Sequence, residues 1–349
     1  MHIPAWKNTL KAIGTGAAGG GLFTMLQLPL PWLLGALVST SIWKHFSNVP
    51  APVTPAFRNI AFLMLGIYFA LFIDPGKVID IIPVLPFYLL FTIIIISLCL
   101  WTGYFLARKL LMQKLTGVLG LVPGAPSAVI LMSDSLHANT PFILLLHSLR
   151  KIIVLFTVPF VLFLFFVDMN APSEPEALVN QNMEGSYWWY AFALAFSTLY
   201  YLNKNLFLAG PPVIMGSLIF FGVDPAPYPE AALAAAHLFL GTYLGSKLKL
   251  TDMKQSGAPV LWYTGAVLLL ITLSAGFGLL LSAVTSVDQI TAVMSLMPGG
   301  LLEVGIIAAG TGGDPGAVLM LQFVRFLIIF YGLPPLLFWY FSRKQKVPV

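Results

Sequence analysis

The sequence predicts an all-α polytopic membrane protein built as an inverted-topology repeat, with about five transmembrane helices and one broken re-entrant hairpin in each half. Three observations lead there. Apolar residues make up 58% of the chain and charged residues only 9%. Two otherwise apolar segments are interrupted by Pro-Gly. A pattern of residues recurs at a fixed offset. An ordinary soluble domain carries about 25% charged residues, and mean hydropathy here is +0.90. A soluble enzyme, a disordered chain and a coiled coil are excluded on that ground. The apolar residues come in long runs rather than in alternation, which argues against an outer-membrane barrel. The 18 Lys and Arg are scattered over short loops, so the basic balance does not imply nucleic acid as a partner. The partner that composition implies is the lipid bilayer. Cys99 has no second cysteine to meet, so no disulfide framework forms within the chain.

Crossings are expected near 10–28, 30–44, 57–73, 83–106, 142–167, 187–203, 208–222, 230–246, 257–284 and 316–341. Several are shorter than the ~20 residues of a straight span. Lys7 and Lys11 precede the first apolar stretch, as the charged start of a signal peptide would. Apolar segments continue to the end, however, so the first reads as a true span. The longest polar stretch, Asp168 to Ser186, leaves no room for a soluble domain. The expected division is a first membrane repeat over 1–167, an acidic extracytoplasmic connector over 168–186, and a second membrane repeat over 187–349.

Two further segments, 117–133 and 290–309, contain Val122-Pro123-Gly124-Ala125-Pro126 and Met297-Pro298-Gly299-Gly300. Proline removes a helix donor and glycine weakens the helix. In lipid such breaks survive only where protein or a wet cavity satisfies the freed backbone. Basic residues decide whether these segments cross. If both are re-entrant and the N-terminus is cytoplasmic, fourteen loop Lys and Arg fall inside and Lys77 alone falls outside. If both cross, Lys204, Lys247, Lys249 and Lys254 move outside. The re-entrant topology gives the better split, puts both termini in the cytoplasm and puts Asp168, Glu174, Glu176 and Glu184 outside. A bacterial inner membrane is the expected location.

Residues 121–159, shifted by 175, align on 296–334 without a gap. Pro123 meets Pro298, Gly124 meets Gly299, Arg150 meets Arg325 and Pro159 meets Pro334. The same shift pairs Leu65-Gly66-x-Tyr68 with Leu240-Gly241-x-Tyr243, and a shift of 181 pairs Pro31, Gly35 and Leu37 with Pro212, Gly216 and Leu218. Five crossings per half is an odd number, so the second half enters the membrane upside down. Inverted repeats of this kind, with Gly/Pro-interrupted segments in corresponding positions, point to a midplane binding site in secondary transporters.

The candidate site follows from that placement. Arg150 lies nine residues past Pro141 and Arg325 ten past Pro315, roughly 13–15 Å into a ~30 Å core. An arginine there needs a partner or a wet cavity. Either each guanidinium ties down open carbonyls of its neighbouring hairpin, or it contacts an anionic substrate, or snorkelling makes it shallower. The first two are compatible, since arginine has five donors. His147 and Gln322 each precede an arginine by three residues, on nearly the same helix face, and are read as hydrogen-bonding neighbours. With Pro123, Gly124, Pro298, Gly299 and Gly300 these form the proposed substrate-binding set. Glu303, whose repeat mate is Ala128, is a structural ion pair or a proton- or ion-coupling carboxylate. Asp134 and Asp314 lie near hairpin ends and share that coupling reading, with solvated turns as the default. Lys151 has no basic mate, because Phe326 takes its place. It either snorkels or faces the cavity.

The five histidines are dispersed and no Cys-x-x-Cys or His-x-x-x-His appears, so neither a metal nor another cofactor is expected. Gly14-Thr15-Gly16-Ala17-Ala18-Gly19 fits a dinucleotide fingerprint, but no strand precedes it. Close helix packing is the better reading. Gly310 to Asp314 reads as a flexible turn or hinge.

The doubled blocks Pro31 to Leu37, Leu65 to Tyr68 and Pro123 to Arg150, with Pro212 to Leu218, Leu240 to Tyr243 and Pro298 to Arg325, resemble the AbrB-type membrane protein family, whose members carry a duplicated membrane domain. The Pro298-Gly299-Gly300-x-x-Glu303 block is the most specific piece. Members are often labelled regulators of gene expression or ammonia monooxygenases. The resemblance implies an inner-membrane protein with a regulatory phenotype and supplies no catalytic residues. No basic surface for DNA and no metal cluster for oxygen chemistry stands in the sequence. The expected function is therefore a secondary transporter, not an enzyme, that moves a small anionic or zwitterionic solute with ion or proton coupling. Alternatives are a passive channel and a membrane regulator acting through effector flux or a partner protein. Small-residue faces also allow a homodimer.

Overall fold

The computed structural model describes residues 5–28, 30–47, 53–72, 79–123, 129, 132–133, 135–165, 185–201, 215, 217–219, 221–223, 225–247 and 257–344. Among these the chain is helical. An isolated bridge between Ser186 and Pro225 is the sole β pairing among the described residues. Four helices are long and apolar enough to cross a membrane: Ile79–Lys109, Thr140–Leu162, Gly257–Val284 and Pro315–Tyr340. They mark a membrane protein. Helices also stand at the other expected segments apart from 208–222, most of which lies outside the described residues.

The chain divides into two compact units. One comprises 1–78, 162–254 and 309–316, the other 79–161, 255–308 and 317–349. Each draws on both halves of the sequence.

The first unit holds α1 (Ala5–Met25), a π-helical turn (Pro31–Gly35) leading into α2 (Ala36–Ser47), α3 (Pro55–Ala70), α7 (Trp188–Tyr201) and α8 (Glu230–Lys247). Small residues let these helices approach. A methyl group on Gly19 would strike the Gly35 carbonyl and Ser39, and one on Gly241 would strike the Leu33 carbonyl. Gly16 lies against Thr242, whereas Gly14 faces open space. The glycine run in α1 is thus a packing surface, and the Gly of the Leu-Gly-x-Tyr block in α8 serves the same end. Tyr228 donates to the Met64 carbonyl at 3.0 Å and stacks near Tyr68 and Tyr190.

The second unit holds α4 (Leu85–Lys109), α5 (Lys114–Leu121), α6 (Thr140–Phe165), α9 (Gly257–Val284), α10 (Gln289–Leu296), α11 (Leu301–Gly310), α12 (Pro315–Leu327) and α13 (Leu333–Lys344). Helices α6 and α11 end just past its limits, and α12 begins just before them. Ends of α4 and α9, starts and ends of α5 and α10, and starts of α6 and α12 all coincide at an offset of 175. Between α12 and α13 the helix widens to a π-turn at Ile328–Gly332. Pro334 and Pro335 follow at once. Proline lacks an N–H and its ring clashes with the carbonyl four residues earlier, and a wider turn relieves both.

Helices α4 and α9 run antiparallel. Lys109, at the end of α4, lies over the ring of Trp262, near the start of α9 (3.4 Å). Phe91, near the start of α4, meets Phe277, near the end of α9 (5.5 Å between ring centroids). Gly103 and Gly278, repeat mates, let the short helices α5 and α10 lie on α4 and α9. A methyl on Gly103 would come within 2.6 Å of the Gly117 carbonyl, and one on Gly278 within 2.9 Å of the Val293 nitrogen. An apolar cluster seats α5. Leu115, Val118, Leu119, Val122 and Leu136 pack with Ile96, Ile143, Ile329, Leu333 and Leu337.

Candidate functional site

The site is built on two helix ends that proline creates. Val122 precedes Pro123 and adopts φ −57, ψ 121, and Met297 precedes Pro298 and adopts φ −59, ψ 138. The proline ring pushes the preceding residue out of the helical region, so α5 and α10 each stop after eight residues. Their last carbonyls lose their intrahelical donors. Val122, Pro123, Met297, Pro298 and Gly299 are buried, so water does not replace those donors.

Side chains from α6 and α12 do. His147 Nε2 bonds to the Leu119 carbonyl at 2.9 Å. Arg150 Nη1 donates to the carbonyls of Leu121 (3.3 Å) and Val122 (2.6 Å), and its Nη2 lies 3.3 Å from His147 Nδ1. In the second copy, Gln322 Nε2 donates to the carbonyls of Met294 (3.0 Å) and Met297 (3.3 Å). Arg325 Nη1 donates to those of Leu296 (3.3 Å) and Met297 (2.8 Å). Its Nη2 donates to the Gly299 carbonyl (3.5 Å) and to Gln322 Oε1. Leu119, Leu121, Val122, His147 and Arg150 map onto Met294, Leu296, Met297, Gln322 and Arg325 at the single offset of 175. We call each arrangement a clasp. The four clasping side chains are between 2% and 4% exposed. A cation beside helix C-terminal carbonyls also meets the negative end of the helix dipole.

In this geometry His147 donates from Nε2 to a carbonyl and accepts from Arg150 at Nδ1, which makes it the neutral Nε2–H tautomer. Gln322, with one donor and one acceptor group, does the same work in the other copy. Among the described residues neither arginine has a carboxylate partner. Among the described residues Arg150 Nε is buried with no hydrogen-bond partner, as are the buried hydroxyls of Tyr263 and Ser274. Arg150 and Arg325 are near enough to interact electrostatically.

The ion pair at the site is formed by Lys151 and Glu303, 2.8 Å apart. Glu303 stands in the first turn of α11. Its carboxylate lies over Gly300, where any side chain would collide with it. Gly299 is likewise crowded by Val304 and Val154. Asp314 caps the start of α12, accepting from the Gly316 amide at 2.9 Å. Asn139, its repeat mate, accepts from the Phe142 amide at 3.2 Å. Gly312, at φ +84, makes the turn before Asp314. Gly124 and Asp134 lie outside the described residues. Among the described residues no group of three or more His, Cys, Asp or Glu gathers to hold a metal.

Two buried tyrosines at the same offset were not among the expected site residues. Tyr88 of α4 donates to the Ser295 carbonyl of α10 (3.3 Å). Tyr263 of α9 sets its hydroxyl against Gly117 of α5. Each half thus reaches the other half's short helix. The signal was available in the sequence, since extending the 175-residue register upstream pairs Tyr88 with Tyr263 and Gly103 with Gly278.

Chemically, the arrangement holds two permanent positive charges on broken backbone, with spare donors and one accessible ammonium beside a carboxylate. A family model described as "Transition state regulatory protein AbrB" matches residues 32–341. A protein of Bacillus subtilis (strain 168) named "Uncharacterized protein YhjN" is 24% identical over 354 residues, covering 93% of this chain and 90% of its own. One of Escherichia coli (strain K12) named "Putative regulator AbrB" is 24% identical over 233 residues, covering 65% of this chain and 66% of its own. No solved structure matches the chain.

Proposed function

The chain belongs to the AbrB family, and from that membership together with its doubled arginine clasp we propose that it is a secondary transporter of a small anionic or zwitterionic solute. The observation that carries this reading is the clasp itself. Two buried guanidiniums hold the open carbonyls of two Pro-interrupted segments, and among the described residues neither forms a salt bridge with a carboxylate. A structure that needed only to be stable would neutralise such charges or replace them with apolar residues. Interrupted segments in corresponding halves are where transporters place their solute.

In this reading the solute binds near the membrane midplane between the two Pro-Gly hairpins. Arg150 and Arg325 supply the positive field and Glu303 couples a proton or ion. The two halves are inverted copies, each with five crossings and one re-entrant hairpin. The antiparallel run of the mate helices α4 and α9 supports the inversion, as does the reciprocal reach of Tyr88 and Tyr263. Both termini lie in the cytoplasm of a cell whose inner membrane holds the protein. No cofactor is needed and no reaction is catalysed.

The regulatory reading draws on the word "regulator" in the name of the Escherichia coli relative. Movement of an effector solute across the membrane would account for such a label without DNA binding. Counterflow tests transport against a channel. Proteoliposomes loaded with one small organic anion or amino acid at a time should take up the labelled form saturably and show counterflow. Arg150→Gln and Arg325→Gln should abolish it. Flux that neither saturates nor shows counterflow would replace the transporter with a channel. Unchanged counterflow in both variants would remove the arginines from the site.

A further inference from the structure

We propose that Lys151 is the cation that meets the transported solute, that the group it holds is a carboxylate, and that Glu303 is a tethered carboxylate occupying that place until a proton releases it. The proposal rests on the transporter reading and names its substrate class.

Arg150 and Arg325 are each 2% exposed and committed to backbone carbonyls. A solute could take either guanidinium only by stripping it from a helix end. Lys151 follows Arg150 directly on α6, yet its side chain is 34% exposed. Its ammonium meets the Glu303 carboxylate at 2.8 Å, and that side chain is only 9% exposed. The carboxylate is held against Gly300 at the tip of the second hairpin. A carboxylate-shaped place is therefore already present beside an accessible cation, filled by the protein's own side chain.

Asymmetry is the second strand. The clasps, Gly103 with Gly278 and Tyr88 with Tyr263 recur in both halves. Lys151 and Glu303 do not, since their mates are Phe326 and Ala128. A strap needed to hold the doubled frame would be expected twice. A group that recognises one solute is needed once.

Charge balance completes the step. With Glu303 ionised, the pair is neutral. When a proton passes from water to Glu303 and a solute carboxylate takes its place on Lys151, the site is neutral again. One proton enters with each carboxylate, and a monocarboxylate moves without net charge. Among the described residues the charged groups that bear on Glu303 are Lys151 and Arg150, both from α6.

The test is thermal unfolding of the purified full-length protein in detergent, with sodium acetate as the probe and sodium chloride at equal ionic strength as the reference. Acetate should raise the Tm of the wild type more at mildly acid than at neutral pH. Glu303→Gln should respond at both, with a half-effect concentration about tenfold lower than wild type at neutral pH. Lys151→Gln should show no rise beyond chloride. The double variant, Lys151→Gln with Glu303→Gln, leaves no charge buried alone and should be equally silent. It decides the matter even where a single variant does not fold. An acetate response in the double variant equal to wild type, or no response in wild type and Glu303→Gln, would overturn the proposal. The transporter reading fails separately. Acetate binding as described, with no counterflow of any solute, would sink transport and keep the Lys151 assignment. Full counterflow in Lys151→Gln would do the reverse.

Discussion

His147 and Gln322 do one task with different chemistry, and that equivalence can be measured. Each satisfies a helix-end carbonyl and accepts a hydrogen bond from an arginine. His147→Gln and Gln322→His should each leave thermal stability within about 0.5 kcal/mol of wild type. His147→Leu keeps the volume but orphans the Leu119 carbonyl and one Arg150 donor, which should cost about 1–3 kcal/mol. Arg325→Lys should fail to rescue the loss seen in Arg325→Ala, because a single ammonium lacks the planar fork that spans three carbonyls and a side-chain amide. Unfolding in detergent reads all five. The arginines and their neighbours at i−3 were visible in the sequence because the repeat printed them twice. What sequence could not decide was what they hold. Five donors fit an anion and a pair of carbonyls equally well, and the choice depends on helix ends that only three-dimensional placement brings near. Lys151 with Glu303 was harder still. Neither has a mate, so a reading based on repetition passes over their pairing across 152 positions.

Helix ends were the most legible elements. Proline sets them locally through sterics, with no need for tertiary context. The breaks at Val122-Pro123 and Met297-Pro298 therefore fall where the sequence places them. Helices α1 and α2 and the long spans α4, α6 and α9 also stand near their expected limits. Close approaches were legible only in part, because a glycine's role depends on what faces it. In α1 this yields a contrast. Gly19→Ala puts a methyl into the Gly35 carbonyl and Ser39, while Gly14→Ala puts one into open space. The first should destabilise the protein by about 1–3 kcal/mol through overpacking. The second should be neutral or stabilise by up to ~1 kcal/mol through helix propensity. Equal effects from the two would remove close packing as the purpose of that run. The second Pro-x-x-x-Gly block, around Pro212 and Gly216, lies outside the described residues and carries no comparison.

At the scale of the whole molecule the proposed function rests on a proposed inversion, in which the second copy of the repeat enters the membrane from the side opposite to the first. Mate helices in contact must then run antiparallel, as α4 and α9 do, and residues at mate positions must reach reciprocally, as Tyr88 and Tyr263 do. In the sequence the proposed inversion rests on the expected odd number of crossings per half and on the distribution of lysine and arginine, not on any single motif. Orientation relative to the cell is the step that labelling measures. In a Cys99→Ser background, Gln181→Cys and Met253→Cys each introduce one thiol, in the sequence between the two repeats and in the sequence before α9. A membrane-impermeant maleimide applied to intact cells should modify the first at once and the second only after permeabilisation. The reverse order, Met253→Cys modified at once and Gln181→Cys only after permeabilisation, or modification of both from the same side, would contradict the inversion and remove the midplane site with it.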